Sequence, residues 1–212
     1  MEQDIVELNH IVWNRIADRY ANSGYAKLTP SFEYFCNQLI PNCRVLDVGS
    51  GFGVPFAKFL VERNFFVIGI DISSRMVQIA RQNIPNAEFW ELSMTEMKFK
   101  SEFGGVVASY SMLLLDPPRF KDVAKRIVHS LQNHGTFYLS LNEPSEPEEE
   151  SESETFVNIM GEMMYSRGYT EKEIYDIFVP LGLTVLHVQR SIKTSPEFGI
   201  EHMIELIFRK KD

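Results

Sequence analysis

The sequence is short of the features that mark most specialised protein classes. Two cysteines among 212 residues, Cys36 and Cys43, lie seven apart; that spacing makes neither a disulfide framework nor a metal site, and both are read as ordinary thiols. No apolar run approaches the roughly 18 residues that a membrane span needs. The N-terminus, MEQDIVELNH, is acidic and polar where a secretory leader is basic and then apolar, so the expected address is cytoplasmic. Positive charge is also scarce. With 21 Lys and Arg against 29 Asp and Glu the net charge is -8, which argues against a nucleic acid as the main partner, because such binding rests on basic residues neutralising phosphates. Part of the excess is local: residues 145–154 (SEPEEESESE) hold six glutamates and no base, leaving -2 for the remainder. That stretch has nothing apolar to bury and reads as a solvated loop. The five histidines are scattered. His129 falls on a predicted helix and His202 in or beside a strand, with no partner acid at motif spacing, so neither is nominated for catalysis.

What is present is size and pattern. A chain of 212 residues with 44% hydrophobic content suits one α/β domain with a substantial core. Over 2–20 the residues Ile5, Leu8, Val12, Ile16 and Tyr20 recur at steps of three and four, which paints one stripe on a helix. A short helix carrying Phe32, Phe35 and Leu39 follows, stopped by Pro41. Strands are predicted over 44–48, 66–70, 87–91, 106–110 and 136–141, and the helices between them include 57–63, one capped by Ser73 or Ser74, and one showing Phe120, Val123, Ala124, Ile127, Val128 and Leu131. Strands alternating with helices of that length give a parallel sheet covered on both faces. Beyond the acidic loop the pattern predicts helices over 156–165 and 171–179, then strands over 184–188 and 203–208 that pair as an edge hairpin.

The sharpest signal is Val45-Leu46-Asp47-Val48-Gly49-Ser50-Gly51-Phe52-Gly53, a buried strand opening into a glycine turn. Such a turn lets a ligand approach backbone at the carboxyl edge of the sheet. A dinucleotide fingerprint requires G-x-G-x-x-G, but here the glycines run G-x-G-x-G and Asp47 stands two residues ahead of the first. A pyrophosphate avoids a carboxylate, whereas a ligand with an ammonium group seeks one. The second signal is Asp71, at the end of IGID and 22 residues after Gly49. A carboxylate at the tip of the second strand accepts hydrogen bonds from ribose hydroxyls, so adenosine is implied.

These motifs, with FGGVVASYSMLLLD and LQNHG before the strand TFYLSL, resemble the class I S-adenosylmethionine-dependent methyltransferases, and among them the small-molecule enzymes of the ubiquinone and menaquinone biosynthesis type. The resemblance implies a Rossmann-like, seven-stranded, mostly parallel sheet in order 3-2-1-4-5-7-6, with S-adenosyl-L-methionine as cofactor. It implies that Asp47 and the turn Gly49, Ser50 and Gly51 hold the methionine part, that Asp71 holds the ribose, and that Ile72 and Met76 pack near the adenine. It puts Ser93 and Met94 at the adenine edge, Ser109 beneath the methyl donor and Tyr20 near the methionine end. Residues 1–40 become a helical cap, 41–142 the cofactor-binding core, 143–170 an acidic loop and lid, and 171–212 a C-terminal helix and edge strands. Tyr110, Leu114, Met163 and Tyr165 are expected to wall a largely apolar substrate pocket, the last two from a helix whose apolar face also includes Met160 and Met164.

The sequence departs from the family pattern at Ser93, where an aspartate is usual, at Gly104, at Leu114, where a histidine is common, and at Asn133-His134. No general base is left to nominate. Asp116-Pro117-Pro118-Arg119 resembles the Asp-Pro-Pro-aromatic motif of nucleic-acid amino-methylating enzymes, but it comes about six residues too late and lacks the aromatic. Asp116 is better read as a helix cap with Pro117 in the first turn. The expected function is therefore methyl transfer to a small-molecule acceptor. A nucleic-acid methyltransferase and a catalytically silent S-adenosylmethionine-binding protein are the alternatives.

Overall fold

The computed structural model describes residues 4–25, 27–144, 155–195 and 199–212, with side chains given for all of these except Thr155 and Ser195. Helices α1 (Ile5–Ala21) and α2 (Pro30–Asn37) precede the alternating part: β1 (Arg44–Val48), α3 (Phe56–Glu62), β2 (Phe66–Asp71), α4 (Ser74–Asn83), β3 (Glu88–Glu91), β4 (Phe103–Ser109), α5 (Pro117–Ser130) and β5 (Leu131–Asn142). A hairpin of β6 (Thr155–Ile159) and β7 (Glu162–Ser166) follows, then α6 (Glu171–Phe178), β8 (Leu183–Ser195) and β9 (Gly199–Lys210). Among the described residues no helix is long and apolar enough to cross a membrane.

Seven strands form one sheet in order β3-β2-β1-β4-β5-β9-β8, parallel up to β5, with β9 antiparallel between β5 and β8. Counting only the strands of this sheet, that is the predicted 3-2-1-4-5-7-6, edge hairpin included. Strand alternation divides the core. Val45, Val107, Tyr138 and Ile207 face α2 to α4, while Leu46, Val106, Leu139 and Leu206 face α5 and α6. The helix starts are set by local chemistry. Ser73 accepts from the Met76 N–H at 3.1 Å. Asp116 accepts from the Arg119 N–H at 3.0 Å with prolines in the first turn, so its capping role accounts for the Asp-Pro-Pro triplet.

One predicted element is wrong in kind. Residues 156–165 form no helix; they make the two-residue hairpin β6–β7, closed by Met160 and Gly161 at φ 53° and 86°. Two successive positive φ angles are those of a type I′ turn, whose twist matches paired strands. The turn is held by the Asn158 side chain, which accepts from the Gly161 N–H at 2.9 Å. The methionine spacing that mimics a helical face spans the turn. Met164 is fully buried and Met163 is 49% exposed, as alternation along a strand requires. The acidic stretch 145–154 lies outside the described residues.

Candidate functional site

At the carboxyl ends of β1, β2 and β4 the backbone opens a cleft. Gly49 and Gly51 sit at φ 72° and 53°, a region costly for any residue with a side chain. A Cβ on Gly49 would lie 2.3 Å from the Cβ of Ser111. The Ser111 hydroxyl in turn donates to the Val48 carbonyl at 2.6 Å, so the segment after β4 is pressed onto the turn. The first three donors of the turn are spent. Gly49 and Ser50 both donate to the Ile70 carbonyl, at 2.8 and 3.0 Å, and Gly51 donates to Asp71 Oδ2 at 2.8 Å. An anion-binding turn would aim those N–H groups at a ligand, so a pyrophosphate has no cradle here.

Asp71 ties the two strand ends together, since its other oxygen accepts from the Ser73 N–H at 2.8 Å. Burial raises its pKa against the opposing pull of these two hydrogen bonds. Each oxygen keeps a lone pair for a further donor. Asp47 is 3% exposed, and no described donor reaches its carboxyl. Burial, followed by the charge of Asp71, pushes its pKa up to about 7.

Of the residues expected around a cofactor, Tyr20, Gly49, Gly51, Asp71, Ile72, Met76, Ser93, Met94 and Ser109 line this cleft, together with Ile70 and Leu92. Asp47 and Ser50 do not. Asp47 lies beneath the turn, and the Ser50 hydroxyl points into the sheet, 2.7 Å from where a Cβ on Gly69 would stand. Tyr110 and Leu114 line the cleft as well, and Tyr110 is itself held at φ 51°. Burial, and then the charges of Glu201 and Tyr25, push the Tyr20 hydroxyl up to about 12.

A larger chamber adjoins the cleft and shares Trp13, Tyr20, Ser109, Tyr110 and Leu114 with it. Its other walls include Tyr25, Lys27, Leu28 and Thr29, Val157 to Ile159 of β6, Ser166 of β7, and residues of β5, β8 and β9. Met163 and Tyr165, expected in the substrate pocket, line neither cavity. In the hairpin register Met163 faces outward, and Tyr165 is buried with its backbone bound to Asn9. The chamber is also less apolar than expected. Glu143, Glu201 and Glu205 line it, with Asn142, Asn158, Lys27, Lys193 and His202.

Helix α1 roofs the cleft through contacts that its apolar stripe does not announce. Asn9 bonds the Leu114 carbonyl at 3.1 Å and both backbone groups of Tyr165. Asn14 Oδ1 accepts from the Ser73 and Ser74 hydroxyls and the Arg75 N–H. Trp13, Asn9 and Ser111 were not foreseen. The one available signal is a pair of asparagines flanking an aromatic on an amphipathic helix.

Comparison with known proteins agrees with this geometry. Residues 45–135 match a family described as a methyltransferase domain. A carboxy-S-adenosyl-L-methionine synthase from Nautilia profundicola is 25% identical over 194 residues, covering 82% of this chain and 75% of that one. Among solved structures, a SAM-dependent methyltransferase from Methanosarcina mazei superposes with a TM-score of 0.76 at 19% identity, covering 88% of this chain and 99% of that one. The 1,6-didemethyltoxoflavin-N1-methyltransferase of Burkholderia thailandensis, solved with 1,6-didemethyltoxoflavin and S-adenosylhomocysteine bound, gives 0.76 at 19% identity over 98% and 88% of the two chains. Residues 45–135 thus match a methyltransferase domain, on a chain whose fold is that of the solved SAM-dependent methyltransferase from Methanosarcina mazei.

Proposed function

We propose that the protein transfers the methyl group of S-adenosylmethionine to a small molecule held in the larger chamber. The observation that carries this reading is the meeting of the two cavities at Ser109 and Tyr110. A methyl group passing from a donor in one to a nucleophile in the other has a direct route there.

The cleft fits the cofactor. Asp71 retains lone pairs for two ribose hydroxyls, and Ile70, Ile72, Met76 and Leu92 supply apolar walls for an adenine, with Ser93 and Met94 at its edge. The carboxyl of Asp47, without a partner in the described chain, is complementary to the ammonium of the methionine part. Gly51 leaves open space above the turn, and Tyr20 closes that end from α1. When bound, the cofactor supplies a sulfonium-activated methyl group. The protein's share is alignment: Ser109 and Tyr110 set the floor at the donor, while Trp13, Tyr20 and Leu114 narrow the passage and exclude water. A net charge of -8 and a chamber lined by three carboxylates favour a small acceptor over a nucleic acid.

Incubation with methyl-labelled cofactor and fractions of cell metabolites, tRNA and DNA tests the proposal. Label is expected in the small-molecule fraction. Label entering nucleic acid in preference, or no binding of S-adenosylhomocysteine by calorimetry, would overturn it.

A further inference from the structure

Strand β9 presents Glu201, Met203, Glu205 and Ile207 on one face, the face that Tyr138, Ser140 and Asn142 occupy on β5. A glutamate at the third of these positions is out of place by burial alone. Glu205 is 3% exposed and has no Lys, Arg or His partner among the described residues. Its Oε1 accepts two hydroxyls, from Thr29 at 2.6 Å and from Tyr138. Oε2 receives no hydrogen bond within the described chain, and the residue lines the larger chamber. A buried carboxylate with half its acceptor capacity unused is costly unless something brings it a donor.

A second polar group stands in the same chamber. The Tyr110 hydroxyl is buried and has no hydrogen-bond partner among the described residues. Burial, then the charges of Glu205 and Glu201, raise its pKa above the ordinary phenol range, so it remains a neutral donor and acceptor that feels both glutamates. The sheet places the pair relative to the reaction. Ser109 pairs with Ser140, and Ser140 with Glu205, so Glu205 stands two strand spacings, roughly 10 Å, from the point where the cavities meet. That leaves room for one small molecule. Two lysines also line the chamber, neither paired with Glu205: Lys27 is exposed, and Lys193 donates to the Tyr25 carbonyl at 3.0 Å and lies over its ring.

We propose that Glu205 is the acceptor-binding residue of the chamber: its free oxygen takes an N–H or ammonium donor of the acceptor, which is therefore a neutral or cationic nitrogen compound and not an acid. This rests on the methyl-transfer reading of the same site and deepens it. Thr29 and Tyr138 hold the carboxylate from behind, and Tyr110 contributes the second polar contact. An acidic co-substrate would meet the carboxylates of Glu205 and Glu201, with no arginine among the lining residues and Lys193 held on Tyr25.

The test uses protein saturated with S-adenosylhomocysteine and three probes on one frame: phenethylamine, 2-phenylethanol and phenylacetate, titrated by ligand-observed NMR. Phenethylamine is expected to bind at least tenfold more tightly than phenylacetate, and Glu205→Gln to bring the two within about threefold of each other. Equal binding of amine and acid by the wild-type protein, an unchanged ratio in E205Q, or no binding of any probe would overturn the proposal. The wild-type ratio decides even if the variant does not fold. Failure of S-adenosylhomocysteine to bind in the first step would instead count against the methyl-transfer reading, so the two failures are separable.

Discussion

The two halves of the site are built in different ways. The floor of the cleft is local: a turn of five residues, two strand ends and one carboxylate that ties them lie within 45–76, and the segments after β3 and β4 and the roof from α1 complete it. The larger chamber, proposed for the acceptor, is mostly side chains drawn from α1, from Tyr25 and Lys27 to Thr29, and from β4, β5, β6, β8 and β9. A local motif can specify the first, because hydrogen bonds between near neighbours fix its shape whatever surrounds it. The second exists only once the sheet is complete, so its character depends on which residues alternate inward on strands far apart in sequence.

If the cleft is locally specified, single changes in it should be severe. Asp71→Ala removes an acceptor that also joins Gly51 to Ser73; it is expected to weaken S-adenosylhomocysteine binding by about 2–3 kcal/mol, on the order of a hundredfold by calorimetry. An unchanged affinity in a folded variant would show that the ribose lies elsewhere. Gly49→Ala forces a side chain to φ 72° and against Ser111. A stability loss of about 2–3 kcal/mol in denaturant unfolding is expected, and a loss under 0.5 kcal/mol would mean that the turn relaxes freely.

A subtler contrast lies in pH. Asp47 holds its proton to about pH 7 in the folded chain, against an ordinary value near 3.8. Between these values the folded state binds more protons than the unfolded one, so stability is greatest below about pH 4 as far as this group is concerned and falls as pH rises towards 7. The slope is at most about 1.4 kcal/mol per unit for one group. Unfolding measured at pH 5 and 7.5 should show the decline, and Asp47→Asn should flatten it. An equal slope in that variant would assign it to another group. The smallest effect is expected outside both cavities: Met163→Ser, at a position 49% exposed, should change stability and methyl transfer by no more than about 0.5 kcal/mol. A large loss of turnover would return the outer face of the hairpin to the acceptor site.

The same contrast explains what could be read from the sequence. Gly49, Gly51 and Asp71 line the cleft and stand close together in the chain, which makes that part legible; the sheet order follows from alternation of strands and helices together with the family resemblance. The hairpin β6–β7 was mistaken because Met160, Met163 and Met164 satisfy a helical period while Met160-Gly161 makes the turn; five-residue strands carry too few alternations to outvote that spacing. Glu205 was illegible for a different reason. Nothing local distinguishes a glutamate in MIELIF that faces solvent from one that meets Thr29 and Tyr138, residues 176 and 67 positions away.

Asn9 and Asn14 give α1 a role in time as well as in space. The helix roofs the cleft, and these two side chains fasten it to the segment after β4, to β7 and to the start of α4 by six hydrogen bonds. A ligand beneath α1 leaves by the open side or by unfastening the roof, and unfastening breaks both latches together, because they lie on one rigid element. Residence in the cleft is thereby linked to a local opening equilibrium of the first helix, a quantity that hydrogen exchange at the α1 amides reads directly.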